Sequence, residues 1–220
     1  MSGLAIITFR NSVPGAQDLA LSIAHNPTIQ ALNQTVWAFS LVEISHLLFL
    51  VMLGGATLVL ALRTLGLALG DVPVIEVERL TRPWLRVGVI GGTVSGIFMS
   101  IATALTLVAN GAFFIKVIAL VAAVAFSFGL GGRLRGGASG IVQGALGLVL
   151  LVWGLWLFAS TRGLNTGSML VGAVSGVFLV LVLIGRRGEA GTDRLSQWLA
   201  IGTVVAWLTV TIAGRWIGFS

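Results

Sequence analysis

Glu43 and His46 stand three residues apart in the otherwise apolar stretch Trp37-Ala38-Phe39-Ser40-Leu41-Val42-Glu43-Ile44-Ser45-His46. At helical spacing, residues i and i+3 share a face, so carboxylate and imidazole can meet. An ionisable side chain inside a membrane span costs on the order of several kcal/mol unless it is paired or solvated, which makes both residues functional candidates. At about 1.5 Å per residue from the outer end, His46 is expected roughly 15 Å deep, with Glu43 about one turn shallower. Met99 falls at about the depth of His46 in a second apolar stretch, and Lys116 a few residues into a third, where its ammonium can pair with Glu43 or snorkel outward.

These residue types suit four chemistries. His46 with Met99 can ligate a haem b iron, or with Glu43 and Met99 a copper ion, because imidazole and thioether are both suitable donors. His25 is expected outside the spans, so a bis-histidine haem within one protomer is excluded. Glu43 and His46 can instead titrate in proton or small-solute transport, with Lys116 as counter-charge. Lastly, Glu43, His46, Lys116 and the hydroxyls of Ser95, Ser100 and Thr103 can satisfy one another as a structural knot in a membrane anchor or assembly subunit. Nothing resembles a nucleotide site, a nucleophile elbow, a zinc ribbon or a calcium loop, so no catalytic residue is assigned.

The elements that position these residues follow from composition. The 220 residues are 57% hydrophobic and 9% charged, with a mean hydropathy of +1.05. A soluble domain carries roughly 25% charged residues, so the expected solvent is lipid. Six windows fit the roughly 20 apolar residues of a transmembrane helix: about 36–62, 85–109, 113–130, 139–160, 168–185 and 196–216. Arg82-Pro83-Trp84 is expected to open the second, leaving no proline in a span core. The short break Asn110-Gly111-Ala112 predicts an antiparallel hairpin of the second and third. Residues 1–35 lack a basic n-region, which argues against a cleaved signal peptide; around Asn26-Pro27 they suit either short interfacial helices or an irregular loop.

The net charge of +6 is read as an orientation signal rather than nucleic-acid affinity. Under six spans, nine of the thirteen Lys and Arg fall in the three alternate loops. Those loops belong to the cytoplasm, and both termini to the periplasm or exterior. The expected protein is all-α and polytopic in a bacterial inner membrane, with the bilayer, and in the redox reading other membrane or periplasmic redox proteins, as partners. Gly88, Gly92 and Gly96, Gly140 and Gly144, and Gly172 and Gly176 make small-xxx-small steps read as packing seams. Six of the seven tryptophans fall near expected span ends; Trp207 alone lies deep, as core packing or a pocket wall. The partial echo between residues 92–98 and 172–178 is ascribed to a restricted alphabet.

Several of these residues also recur as a pattern: Trp37, Glu43-x-x-His46, Gly54, Leu62-Arg63-x-Leu65-Gly66, Arg82-Pro83-Trp84, Ser95-Gly96 and Asn110-x-x-Phe113-x-x-Lys116. With it the chain resembles, over about residues 35 to 125, a family of bacterial inner-membrane proteins distantly similar to the copper-resistance D-like membrane proteins. The resemblance implies a shared helical fold and a Glu-His-Lys constellation, with no fixed activity or cofactor. Where that family has Asp before the Leu-Arg pair, this chain has Ala61, so the resemblance implies no Asp partner for Arg63.

Overall fold

The computed structural model describes residues 8–137, 139–161 and 192–217. All regular structure among them is helical: α1 (Phe9–Ser12), α2 (Ala16–Ala24), α3 (Pro27–Gln34), α4 (Val36–Thr64), α5 (Val74–Ala102), α6 (Ala104–Val108), α7 (Gly111–Leu134), α8 (Ser139–Thr161) and α9 (Arg194–Trp216). Four of these, α4, α5, α7 and α9, are long and apolar enough to cross a membrane. Helix α8 has 23 residues and no charged side chain, with a shorter apolar stretch at Gly140–Gly154. The expected span at 168–185, with Gly172 and Gly176, lies outside the described residues.

Local signals set the helix ends. Helix α4 stops where Gly66 takes the left-handed conformation (φ 72°), which lets Gly66 N–H bond the Arg63 carbonyl and Leu67 N–H the Leu62 carbonyl. These paired bonds satisfy carbonyls that a helix end otherwise leaves open. Gly136 (φ 80°) ends α7 in the same way. Arg63, 2% exposed, turns back from α4 and donates from Nε to the Val72 carbonyl (2.5 Å) and from its terminal nitrogen to that of Gly70 (3.2 Å). It therefore braces the α4–α5 loop without needing an Asp at position 61.

Two sequence expectations are corrected. Helix α5 begins at Val74, so Pro83 lies inside it rather than at its start. The turns before Pro83 carry Glu76–Arg79 and Glu78–Arg82 pairs at i,i+3 and i,i+4, which support the helix where proline removes one hydrogen bond. Nor do α5 and α7 form the expected hairpin. The chain leaves helical geometry at Thr103 (φ −119°, ψ 27°), α6 turns aside against α2, and only then does the Asn110 side chain cap α7. The long face of α5 is taken instead by α4, because Gly88, Gly91 and Gly96 bring the two backbones together.

Helices α7, α8 and α9 form the other side of the bundle, with α9 also reaching α4. In α9 67% of the apolar window is buried, against 22% in α5, which makes α9 the central helix. It buries Thr203 and Thr209 because each hydroxyl donates to its own helix, at the carbonyls of Leu199 and Val205 (2.9 Å each). Trp207 is core packing: its six-membered ring lies 3.5–3.6 Å from the place a Cβ on Gly54 would take. Trp37, Trp84, Trp153, Trp156 and Trp198 are all exposed, as an aromatic belt requires.

Asp193 caps α9, accepting from the Ser196 backbone N–H (3.2 Å) and hydroxyl, and ties it to α7 through Arg133 Nε (2.8 Å). Burial pushes its carboxyl upward, but the hydrogen bonds from Ser196 and the Arg133 guanidinium outweigh that and hold it below the ordinary carboxylate range. A depressed folded value means stability that is present above the unfolded pKa and lost as pH falls through the folded one. The thermal midpoint of wild type is thus expected to exceed that of Asp193→Asn near neutrality and to converge with it as pH falls below the ordinary carboxylate range. A gap that persists unchanged into acid would remove the carboxylate from this role.

Candidate functional site

Helices α4 and α5 run antiparallel in a register read directly from their contacts: Leu53 meets Gly88, Phe49 meets Gly91 and His46 meets Gly96. Continuing that register places Met99 opposite Val42, one turn further toward the Asn110 end than His46. Met99 lies one helical turn from Ser95 and so shares its α4-facing side. Side chains lean toward the N-terminus of their own helix. His46 and Met99, on antiparallel helices, therefore lean toward each other.

The imidazole of His46 is half-buried and held from two directions. Its Nδ1 is 2.9 Å from Ser95 Oγ. The single proton of that hydroxyl goes to the Gly91 carbonyl at 2.6 Å, so Ser95 Oγ accepts and His46 Nδ1–H donates. In the neutral ring this fixes the tautomer and leaves the lone pair on Nε2. The ring lies against Gly96, where an added Cβ would stand 3.1 Å from Cε1, so glycine there makes room for the imidazole.

The remaining predicted residues do not join one cluster. Glu43 is exposed, contrary to the expectation that it faces the interior, and makes no ion pair or hydrogen bond among the described residues. A step of three residues turns a helix by about 60°, so Glu43 lies on the flank of α4 rather than on the face that meets α5. Lys116 does not pair with it: the Lys116 side chain packs against Gly214 of α9, 3.7 Å from the place its Cβ would occupy. Ser100 and Thr103 donate to their own helix, at the carbonyls of Gly96 (2.7 Å) and Met99 (2.8 Å). Of the expected knot, only His46 and Ser95 are joined by a hydrogen bond. His25 is remote in sequence and context, bonded by Nδ1 to the Leu21 carbonyl at the end of α2.

Sequence reasoning missed a second polar centre. Glu78, 3% exposed, accepts from Arg82 of its own helix (Nε to Oε1, 3.0 Å) and from Arg135 at the end of α7. The Glu78–Arg82 spacing was a visible signal; the partner on α7, 57 residues away, was not. Among the described residues no three His, Asp or Glu side chains converge as a metal site. A three-donor site of such ligands therefore does not form among the described residues.

The fold defines a multi-helix protein of the membrane-spanning type, with one histidine held between two of its long helices. Residues 32–165 match the model described as Family of unknown function (DUF6644), and the chain belongs to that family. The matched region holds His46, Ser95, Met99 and Lys116 but not the central helix α9. No curated protein and no solved structure matches the chain. The comparisons give no support to the likeness to copper-resistance D-like proteins or to Glu-x-x-His as a family motif.

Proposed function

We propose that this is a redox-associated subunit of a bacterial cytoplasmic membrane, in which His46 Nε2 and the Met99 thioether hold haem b iron or a copper ion. The observation that carries the reading is the hydrogen-bond chain from His46 Nδ1 through Ser95 Oγ to the Gly91 carbonyl, which orients the ring and presents Nε2. Such outer partners are what ligating histidines use to fix tautomer and direction. Either group, when bound, supplies one-electron transfer; the chain's own residues orient the imidazole donor. Glu43, exposed on the flank of α4, stands outside the donor set. The arginine bias supports six spans with the Glu78 end cytoplasmic and both termini outside, and so electron partners on the periplasmic or membrane side.

The test is an absorption spectrum and elemental analysis of detergent-purified protein, expressed with haem precursor and copper in supply. Wild type is expected to show a Soret band or stoichiometric copper, His46→Ala to lose it, and Ser95→Ala to weaken binding roughly 10–100-fold. Glu43→Gln should leave it intact. Wild type with neither signal would sink the proposal.

One observation favours proton-coupled transport as a second reading: besides His46, a second ionisable side chain, Lys116, lies partly buried within a long apolar helix. Flux of protons into liposomes that is lost in both His46→Ala and Lys116→Met, from protein with no cofactor, would decide for it.

A further inference from the structure

At the Glu78 end, two guanidiniums share a single carboxylate. Glu78 is 3% exposed, while the side chains of Arg82 and Arg135 are 34% and 41% exposed. Arg86 follows one turn after Arg82 on the same flank of α5, exposed and outside every ion pair among the described residues. Arg82 and Arg135 thus share one buried anion, with Arg86 one turn beyond, a local excess of two positive charges among the described residues. Gly131 admits this arrangement: a Cβ there would stand 3.2 Å from Glu78 Oε1 and 3.3 Å from the Arg135 guanidinium.

The patch lies where α5 passes from its charged turns into its uncharged run. Trp84, 57% exposed, marks the boundary. Beyond it, Val87, Ile90 and Val94 form an exposed apolar ridge at helical spacing. Exposed arginines at this level meet headgroup phosphates, while the ridge suits an acyl chain. We infer that Arg82, Arg86 and Arg135 form a binding site for the phosphate of an anionic phospholipid, whose chains lie along the ridge of α5. Glu78 pairs with two of the guanidiniums and so competes with the phosphate for them. This site is independent of the His46 reading.

The experiment is native mass spectrometry of the full chain in a zwitterionic detergent, titrated with phosphatidylglycerol or with phosphatidylcholine of the same acyl chains. At about 1 kcal/mol per cation near an anionic surface, an excess of two charges predicts a preference for phosphatidylglycerol of roughly tenfold or more. That preference is expected to fall severalfold in Arg86→Gln, whose side chain has no ion-pair partner among the described residues, and to near parity in R82Q/R86Q, where Arg135 still pairs Glu78. Glu78→Gln, which removes the competing carboxylate, should tighten binding; a purely structural cluster would show no such gain. Equal binding of the two lipids by wild type would overturn the proposal, as would a preference unchanged in Arg86→Gln. Complete displacement by millimolar inorganic phosphate would assign the site to a soluble anion and overturn the lipid reading.

Discussion

Gly88→Ala is expected to lower the thermal stability of the purified protein markedly, whereas Gly55→Ala, on the same pair of helices, leaves it unchanged. An alanine Cβ at position 88 would stand 2.7 Å from the backbone nitrogen and Cβ of Leu53 and 2.8 Å from its Cα. No rotamer change relieves a contact with backbone, so α4 and α5 must separate. Overpacking of this kind costs about 1–3 kcal/mol, and contact with main chain places Gly88 at the upper end. Separation also loosens helix-to-helix packing, on which association in lipid depends. At Gly55 nothing lies within 4 Å of the added atom. The comparison is read from unfolding midpoints in one detergent, followed by tryptophan fluorescence. Equal midpoints for the two variants would mean that α4 and α5 are not held at the separation described here.

The residues that made the class legible are those whose message is one-dimensional. Runs of about 20 apolar residues bounded by arginine announce membrane helices whatever they pack against. Neighbour choice is a three-dimensional matter, and there the sequence was less informative. The spacing of Glu43 and His46 placed both on one side of α4 but could not say that α5 would cover only the histidine. Asn110-Gly111-Ala112 was visible as a break, yet the chain leaves helical geometry already at Thr103, a residue that favours neither outcome by type. The central place of α9 was hidden by its threonines, which read as polar until their hydroxyls are seen to bond within the helix. Arg63 and Arg135 were legible as charges that orient a membrane protein. Their structural duties, bracing a loop and sharing Glu78, depend on segments that only the fold brings near.

The Glu78 centre should respond asymmetrically to the loss of its partners. The carboxylate is 3% exposed, whereas both guanidiniums retain a third or more of their surface. Removing Glu78 leaves cations that can turn toward water, so Glu78→Gln is expected to be only mildly destabilising. Removing both arginines leaves the carboxylate of Glu78 buried without an opposite charge, a change that typically costs about 3–5 kcal/mol. R82Q/R135Q is therefore expected to unfold far below Glu78→Gln. Adding E78Q to that double variant should recover much of the loss, because the group that needed compensation is gone. A double-mutant cycle on unfolding midpoints tests this directly. If R82Q/R135Q is no less stable than Glu78→Gln, the two arginines are not what keeps Glu78 in the bundle, and the link between α5 and α7 must rest on apolar packing alone.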